Sequence, residues 1–499
     1  MTLMSQTGDF DTSTRTSVLS QIAEKSGAEL ATLESLAAWA NPFSAAEDRL
    51  QKLCKIDTML GITPPVITEI PAAGLWINQP GTYRLGKDVT WTPDGSGQAA
   101  IVIAADNVTL DLGGHALKVV LGDDSQQIAS ILVLGAANVT ILNGSLLDAG
   151  FRGIWARGAH GLTVSDMLIS GVTFNNLTLR GASPAGVFAH QCSNVAIEKT
   201  TVQYMYCTSD VLSGIMLLEV TDSSVTDCTV SNLTNYDGSV QGISCYQSAN
   251  IAWLRCLSIK LQSFFNGNIR TGGHTVLGFM PCLSVSVSVT ACSAVEMIGS
   301  RDDCHGMSIF ICAAVEAKTF TATGVVDGPA PYLTGAKSTG LEVYGWGITV
   351  EACTVSDIRA TVPQDRQAAG FAAWGSGLSF TGCKASNVQV LDAAGKPDTT
   401  LGYGVGFGWS PDIRPVLSTT PAEGVLYTDC TAEGCQVGFD TFNHVKSVWT
   451  HATAKDCGVD ILKADMQPKT RMLSADPASE CNPPVVTTVT NQATGNAFV

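Results

Sequence analysis

Val225–Cys228 reads VTDC, and this short phrase, an apolar residue followed by a cysteine, returns along the second half of the chain. Later copies end at these cysteines: Cys256 (WLRC), Cys292 (VTAC), Cys353 (VEAC), Cys383 (FTGC), Cys430 (YTDC) and Cys457 (TAKDC). The gaps between them are 28, 36, 61, 30, 47 and 27 residues, and the gap of 61 spans two periods, with Thr323 where a cysteine is absent. A period of about 20 to 50 residues is typical of a solenoid, in which each repeat buries its apolar face against its neighbours.

Each repeat also contains a run that begins with glycine and a large apolar residue. These runs are GIWAR at Gly153, GVFAH at Gly186, GIMLL at Gly214, GISCY at Gly242, GMSIF at Gly306, GLEVY at Gly340, GFAAW at Gly370 and GFDTF at Gly438. The repeats are rich in Val, Ile, Thr and Ser and are punctuated by Gly and Asn, a composition that predicts short strands. Strands that pair with their copies one repeat away make parallel sheets around a common core.

Two phrases, ADNVTLDLGGHAL (Ala105–Leu117) and ANVTILNGSLL (Ala137–Leu147), resemble the right-handed parallel β-helix proteins of the pectin-lyase-like superfamily. The resemblance extends roughly from Ile70 to Ile461. It implies an all-β solenoid, a right-handed parallel β-helix of about 11 to 12 coils. Lyases, hydrolases, epimerases and phage adhesins all use this scaffold, so the resemblance implies the fold more strongly than the function.

The chain divides into three predicted parts. Residues 1–66 contain two segments with apolar residues spaced by three and four, which predicts an N-terminal helical segment that caps the open end of the solenoid. A dimerisation or tethering arm is the alternative for this segment. Residues 67–461 form the β-helix, and residues 462–499 form a Pro- and Thr-rich tail that packs on it.

Composition narrows the partners and the compartment. The net charge of −16 argues against nucleic acid and against a polyanionic substrate. No stretch is long and apolar enough to cross a membrane, and the first residues lack the basic and apolar regions of a signal peptide, so we expect a cytoplasmic protein. The 16 cysteines are then expected to be reduced, buried and used as small apolar residues, and not to form a disulfide network.

Alternation along the glycine-initiated strands predicts two outward-facing columns of side chains. The first column comprises Trp155, Phe188, Met216, Ser244, Ser308, Glu342, Ala372 and Asp440. The second comprises Arg157, His190, Leu218, Tyr246, Phe310, Tyr344, Trp374 and Phe442. Most of these residues are apolar or aromatic, which indicates a binding surface, a subunit interface or a face covered by other parts of the protein.

We interpret these columns as an aromatic-lined groove for a substrate. Its location is expected in the second half of the chain, where the long inserts between repeats lie: 260–281, 326–338, 360–369 and 390–424. The last insert contains YGVGFGWSPDIRPV, a loop expected to pack over the groove. The candidate substrate-binding residues are Arg157, His190, Tyr246, Phe310, Tyr344, Trp374, Phe407, Trp409 and Phe442.

Polar candidates for catalysis are few. In SRDDCHGMSIF (Ser300–Phe310), CHGMSI resembles the GHGLSI-type motif of polygalacturonases, and Asp302-Asp303 resembles their paired aspartates. That family spreads these groups over successive coils, and its basic Arg-Ile-Lys motif has no counterpart here. His305 is a candidate acid or base near neutral pH. The full set of catalytic candidates is Asp303, His305, Glu342 and Asp440. The seven histidines show no metal-ligand spacing, and no cofactor motif is present.

Three functions remain open at this point. The first is a cofactor-independent biosynthetic cyclase or isomerase, possibly pericyclic, which would fold a small apolar molecule such as a terpenoid or polyketide against the aromatic groove. The second is a carbohydrate-active lyase, epimerase or glycoside hydrolase, with aromatic rings as sugar platforms. The third is an adhesive protein such as a trimeric spike, whereas the first two admit a monomer or a homo-oligomer. Groove composition favours the first.

Overall fold

The structure is a computed structural model, and it describes most of the chain between residues 66 and 462. The described residues are 20, 66–95, 98–121, 128–174, 183–208, 211–236, 238–264, 275–299, 303–327, 337–361, 367–392, 394–398, 404–409, 422–440, 444–445, 447–462, 489–491 and 496–498. The predicted N-terminal helical cap therefore lies outside the described residues, apart from Ser20. Across the part that is described, no helix has the length and apolar character needed to cross a membrane.

Two compact units divide the chain, and their described parts join between Leu257 and Ser258. The strands before the junction are β1 Val66–Ile67, β2 Leu75–Ile77, β3 Gly81–Leu85, β4 Val89–Trp91, β5 Ala99–Ile103, β6 Val108–Asp111, β7 Ala116–Val119, β8 Ala129–Leu134, β9 Ala137–Leu147, β10 Arg152–Arg157, β11 His160–Ser170, β12 Thr173–Phe174, β13 Ala185–His190, β14 Ala196–Glu198, β15 Thr201–Cys207, β16 Val211–Leu218, β17 Thr221–Thr226, β18 Thr229–Asn235, β19 Ser239–Tyr246 and β20 Ala249–Leu254. Strand β21 is Leu257–Ser263.

The first unit contains three stacks of parallel strands. One stack runs β2, β5, β8, β10, β13, β16, β19, with Ile154 opposite Val187, Val187 opposite Ile215 and Ile215 opposite Ile243. A second runs β1, β3, β6, β9, β11, β14, β17, β20. The third runs β4, β7, β9, β11, β15, β18. Each strand pairs with its copy one repeat later, which is the predicted solenoid arrangement.

Further strands make up the second unit. They are β22 Val276–Cys282, β23 Val285–Thr290, β24 Ser293–Gly299, β25 Cys304–Ala313, β26 Glu316–Lys318, β27 Thr321–Asp327, β28 Lys337–Trp346, β29 Thr349–Glu351, β30 Thr354–Thr361, β31 Gln367–Ser376, β32 Ser379–Thr381, β33 Lys384–Leu391, β34 Gly404–Trp409, β35 Ala422–Glu423, β36 Leu426–Thr428, β37 Thr431–Glu433, β38 Val437–Asp440, β39 His444–Val445, β40 Val448–Thr450, β41 Thr453–Lys455, β42 Val459–Leu462, β43 Val489–Asn491 and β44 Asn496–Phe498.

This unit has the same three-sheet plan. Its first stack, which carries the residues of interest below, runs β22, β25, β28, β31, β34, β38, β42. The second runs β23, β26, β29, β32, β36, β40 and the third β24, β27, β30, β33, β37, β41. Stacked rings fill the interior, with 4.9 Å between the ring centres of Phe380 and Tyr427 and 3.8 Å between those of Tyr427 and Trp449.

Turns between the sheets use residues that tolerate a left-handed backbone. Asn107, Asn138 and Asn250 have φ values of 56°, 55° and 56°. Asparagine enters this region several times more readily than most residues, and its amide can bond to the equivalent side chain one coil away. The Asn138 Nδ2 atom donates to Asn107 Oδ1 at 3.1 Å, and Asn250 Nδ2 donates to Asp222 Oδ1 at 2.8 Å. The recurring asparagines are therefore explained by turn geometry.

The cysteine positions are partly as predicted. The fourteen described cysteines are buried and none forms a disulfide. Two details of the predicted ladder are wrong. Lys318 pairs with Glu351, so Phe320, two residues further along and fully buried, lies opposite Cys353. Phe320, and not Thr323, therefore occupies the position where the cysteine is missing. Register between β37 and β41 sets Cys457 in a separate ladder with Cys435.

Candidate functional site

The candidate site is built on β25 and β28, adjacent parallel strands of the second unit. Ser308 lies opposite Glu342 in their register. Each strand contains a glycine that packs against the neighbouring sheet: a Cβ on Gly306 would lie 2.5 Å from the Cβ of Ala322. The pairing of β25 with β28 is interrupted at Gly306 and Gly340, so alternation restarts after these glycines. Met307 faces inward, since Phe279, its partner in β22, packs against the buried Phe320; Ser308 after it and Glu342 opposite Ser308 therefore face outward. His305 Nδ1 lies close to Glu342 Oε2, so His305 shares this face. The outward side of these two strands therefore collects the polar side chains.

Four charged or titratable residues and one serine meet there. His305 Nδ1 lies 3.8 Å from Glu342 Oε2, and His305 Nε2 lies 3.9 Å from Asp303 Oδ2. Lys337 Nζ lies 3.9 Å from Glu342 Oε1, and Ser308 Oγ donates a hydrogen bond of 3.0 Å to Glu342 Oε2. We call Asp303, His305, Ser308, Lys337 and Glu342 the acid–base cluster. One imidazole thus lies between two carboxylates, and a lysine lies beside one of them.

Most of the acid–base cluster is removed from water. The side chains of His305, Lys337 and Glu342 are 3%, 6% and 9% exposed, whereas Asp303 is 38% exposed. The Nδ1 atom of His305 is buried and makes no hydrogen bond within the described part of the chain. Buried polar atoms in proteins are nearly always satisfied, but the Oγ atoms of Ser213 and Ser244 are exceptions as well, so this feature alone does not identify a functional site. Solvent reaches the cluster through Asp303.

Electrostatics favours an ionised Asp303. Partial burial alone would raise the pKa of this carboxyl group, but the adjacent His305 imidazole and the positive charge of Lys337 outweigh it and hold the pKa below its usual value. Behind the strand, burial and the charge of Asp327 raise the pKa of the Cys304 thiol well above its usual value. Cys304 is therefore a structural thiol and does not provide a nucleophile.

Aromatic rings continue the same outward face beyond the acid–base cluster. Ring centres of Phe310 and Tyr344 are 5.6 Å apart, and those of Tyr344 and Trp374 are 6.5 Å apart. Tyr344 and Trp374 are only 2% and 7% exposed. Burial raises the pKa of Tyr344 to about 12. The rings are adjacent to the acid–base cluster, as predicted, but they do not form an open wall.

Several other predicted site residues lie elsewhere. Phe407 is fully buried in the core, with its ring centre 4.7 Å from that of Phe371 and 5.3 Å from that of Phe439. It cannot line an outward groove, and the prediction is wrong because GVGFGW is a core strand, β34, and not a loop. Trp409 is the last residue of this strand and pairs through its backbone with Ala373. Phe442 lies outside the described residues.

Asp440 is buried but does not belong to the acid–base cluster. The register runs from Glu342 to Ala372 and from Ala372 to Gly408, and a Cβ on Gly408 would lie 3.1 Å from the Cβ of Asp440. Asp440 is therefore three strands beyond Glu342, about 14 Å at the usual strand spacing. That separation exceeds the range of about 5 to 9.5 Å over which two carboxyl groups cooperate on one glycosidic bond.

The remaining candidates belong to the first unit. Arg157 and His190 are adjacent in the register of β10 and β13, and both are buried. His190 stacks on Phe188 with 5.9 Å between ring centres. Tyr246 is 4% exposed and accepts a hydrogen bond from Gln241. These side chains share the buried outward face of their own unit, with no carboxylate of the acid–base cluster among them.

Sequence reasoning missed Lys337. This residue opens β28 directly after residues 328–336, and the predicted insert 326–338 included it. Internal comparison of the repeats would have found it, because Lys337 precedes Gly340 by three residues, as Asp303 precedes Gly306. The matching positions place the two side chains on neighbouring coils.

A second surface feature lies in the first unit. Its cavity of about 290 Å³ is lined by Lys118, Val119, Val120, Leu121, Asp148, Gly150, Gly171 and Thr173. Lys118 Nζ lies 3.0 Å from Asp148 Oδ2, and both side chains are about half exposed. An exposed ion pair of this kind contributes little binding energy of its own. No group of three His, Cys, Asp or Glu residues suited to a metal ion occurs among the described residues of either unit.

A family model described as a right handed beta helix region matches residues 125–267. The chain is a right-handed parallel β-helix. This confirms the predicted all-β solenoid and the resemblance to right-handed parallel β-helix proteins, and it agrees with the strand pairing of each unit. No curated protein matches the sequence.

Solved structures align with the chain at low identity. The A-module of mannuronan C-5 epimerase AlgE6 from Azotobacter vinelandii is 12% identical, with 79% of this chain and 95% of that chain covered and a TM-score of 0.36. DFA-IIIase from Arthrobacter chlorophenolicus A6 is 13% identical, with 81% and 89% covered and a TM-score of 0.33. Polygalacturonase from Erwinia carotovora ssp. carotovora is 9% identical, with 82% and 100% covered and a TM-score of 0.32.

The prediction of a cyclase or isomerase for an apolar molecule is wrong. The outward columns that were to form an open apolar groove are buried: Trp155, Phe188 and Tyr344 are at most 2% exposed. Alternation along a strand carries no information on whether a face is covered.

Proposed function

We propose that the protein is a carbohydrate-active enzyme whose acid–base chemistry is performed by the acid–base cluster on β25 and β28. The supporting observation is the His305 imidazole held 3.9 Å from the Asp303 carboxylate and 3.8 Å from the Glu342 carboxylate. Cleavage or epimerisation of a sugar requires a group that takes a proton and a group that gives one, held a few ångströms apart. Phe310, two residues beyond Ser308, is partly exposed and offers an apolar face on which a sugar can stack.

Each member of the acid–base cluster has a distinct role in this proposal. Asp303 is the group that solvent reaches, and its lowered pKa keeps it ionised, so it contacts the substrate as the base. His305 lies directly behind Asp303 and exchanges the proton with it. Glu342 orients His305 and is itself held by Ser308 and Lys337. An ordered series of this kind fixes the orientation of the imidazole.

Among the possible reactions, hydrolysis agrees best with the charges. Lyases and epimerases that act on uronates remove a proton next to a carboxylate, and they need positive charge to stabilise the resulting anion. Here two carboxylates outnumber the single lysine. Glycoside hydrolysis needs no such positive charge: Asp303 takes a proton from the attacking water, His305 holds it, and it returns through Asp303 to the oxygen of the leaving sugar. The prediction of a trimeric spike stays a prediction, as do the cytoplasmic location and the boundaries of the three predicted parts.

A polysaccharide panel tests the proposal on the full-length protein. Release of reducing ends reports hydrolysis, ultraviolet absorbance of an unsaturated sugar reports a lyase, and proton exchange at the sugar ring followed by NMR reports an epimerase. We expect Asp303→Asn and His305→Ala to lower kcat about 10²- to 10⁴-fold while the protein remains folded.

A matched control lies in the same unit. His451 Nδ1 is 3.0 Å from Asp429 Oδ1, and these side chains are 72% and 61% exposed. The variants Asp429→Asn and His451→Ala remove an Asp–His pair of similar chemistry outside the acid–base cluster, and we expect them to leave kcat within about twofold. Equal losses in both pairs, or no turnover of any saccharide, would overturn the proposed function.

A further inference from the structure

We infer that the site selects an uncharged saccharide and discriminates against uronates and sulfated sugars. This inference rests on the proposed function and specifies its substrate class. It comes from the balance of charge around the acid–base cluster. Asp303 and Glu342 are within 4 Å of His305, and the carboxylate of Asp327 lies near enough behind the strand to act on the Cys304 thiol.

Lys337 is the basic residue whose positive charge opposes the negative charge of the carboxylates around the acid–base cluster. Among the described residues of the second unit, it is the one buried lysine or arginine. Its ammonium group lies 3.9 Å from Glu342 Oε1, and its charge also acts on Asp303. The lysine is thus already shared between two carboxylates of the protein, and with a 6% exposed side chain it is not placed to meet a ligand from solvent.

Asp303 is the most exposed residue of the acid–base cluster, so an incoming sugar contacts it first. A carboxylate or sulfate on the sugar would lose water at a site where the most accessible group is itself ionised and negative. Removing a charge from water without an opposite partner is strongly unfavourable, and like charges brought together add to that cost. A sugar hydroxyl, in contrast, donates a hydrogen bond to the Asp303 carboxylate. The same geometry therefore favours neutral sugars and excludes anionic ones.

The net charge of −16 acts in the same direction at longer range. A polyanion approaching the protein is repelled before it contacts the site, and this effect weakens as salt is added. Measurements at low and high salt therefore separate the two contributions, because salt screens the long-range repulsion but screens the repulsion from buried groups at the site much less.

Matched substrates that differ only in charge provide the test. We would compare fully methyl-esterified with de-esterified polygalacturonan, and dextran with dextran sulfate, measuring kcat/KM with the full-length protein at low and high salt. The expected result is a preference for the neutral member of each active pair of at least about tenfold, which persists at high salt. Discrimination should appear mainly in KM, since repulsion acts on binding.

A lysine variant examines the role of Lys337 in this balance. Lys337→Met removes the one buried positive charge, so the preference for neutral over acidic substrate should widen by about threefold or more. Lys318→Met is the control, because Lys318 is an exposed lysine paired with Glu316 at 2.7 Å in the same unit. That control should leave the preference unchanged.

Failure of the inference and failure of the proposed function are distinguishable. Turnover of the acidic member as fast as, or faster than, its neutral counterpart would overturn the inference and leave the carbohydrate-active assignment standing. Narrowing of the preference in Lys337→Met would also overturn it, since the lysine would then not be acting against negative repulsion. Absence of turnover for every saccharide in the larger panel would overturn the proposed function, and the inference with it.

Discussion

The two units carry different chemistry at equivalent backbone positions. In the first unit, the outward column of the glycine-initiated strands holds Trp155, Phe188 and Met216, and the Arg152 guanidinium lies 4.2 Å from the Trp155 ring centre and 4.1 Å from that of Phe188. In the second unit, the same column holds Ser308 and Glu342, followed by small residues. Both columns are buried, so burial alone does not distinguish them.

What distinguishes the two columns is how the charges are balanced. A guanidinium on aromatic faces is stabilised by the ring quadrupole, and it is always protonated, so it offers no acid or base. The acid–base cluster instead joins two carboxylates to a histidine, the residue type that ordinarily exchanges protons near neutral pH. Equivalent positions of one repetitive fold thus serve packing in one unit and, in our proposal, chemistry in the other.

The largest expected effect on stability comes from breaking the acid–base cluster. Glu342→Ala removes the carboxylate that Lys337 and His305 share, and we expect a loss of about 3 to 5 kcal/mol in the free energy of unfolding, measured in urea. The control is Glu351→Ala, because Glu351 is 51% exposed and lies 3.6 Å from Lys318. Exposed pairs contribute about 0 to 1 kcal/mol. Equal losses would show that the acid–base cluster is no more than a surface ion-pair network.

A smaller effect is expected in the first unit. Arg152→Met keeps the apolar stem between the rings and removes the charge, so we expect a loss of about 1 to 2 kcal/mol. Arg255→Met is the matched control: Arg255 Nε lies 2.6 Å from Asp227 Oδ1, but the arginine side chain is 53% exposed. That variant should cost less than about 1 kcal/mol. If Arg152→Met lowered the free energy of unfolding as much as Glu342→Ala, the two buried columns would not differ in how strongly their charges contribute to stability.

Periodicity in the sequence was sufficient to predict the fold class. Glycine, an apolar residue and alternating small side chains recur because each coil must pack on a nearly identical copy, and this repetition is visible without coordinates. Periodicity gave the wrong residue, Thr323, for the ladder position in the coil that lacks its cysteine. It also missed two strands, β22 (Val276–Cys282) and β34 (Gly404–Trp409), which fall largely within predicted inserts. Their Gly278-Phe279 and Gly406-Phe407 have the same pattern as the recognised runs.

The site was only partly predictable. Asp303 and His305 were identified from the resemblance of SRDDCHGMSIF to polygalacturonase motifs, and Glu342 because a carboxylate is conspicuous in an apolar column; the structure brings the three together. Asp440 is also a carboxylate in that column, but it lies three strands beyond Glu342. The sequence pattern alone does not give this distance, which excludes Asp440 from the acid–base cluster. Whether a face is covered depends on segments distant in sequence, so alternation could not predict that Tyr344 and Trp374 are buried.

The smallest expected effect concerns the pH dependence of Asp303. Its pKa is lowered in the folded protein, so the unfolded chain binds the proton more tightly, and the contribution of the carboxylate to stability is present above the unfolded pKa of about 3.9. That contribution is lost as the pH falls through the folded value. The difference in unfolding free energy between wild type and Asp303→Asn should therefore stay constant down to about pH 5 and shrink as the pH is lowered from about 5 to about 3.

A double-mutant cycle identifies the source of this dependence. His305 contributes most among the groups that lower the pKa of Asp303, so in a His305→Ala background the effect of Asp303→Asn should be smaller and should vary less with pH. Lys337 remains in that background, and the residual dependence measures its share. An unchanged pH dependence without His305 would place the stabilising charge on Lys337 alone. The acid–base cluster would then hold a fixed positive charge on Lys337, as the first unit does on Arg152, and His305 would not exchange a proton with Asp303.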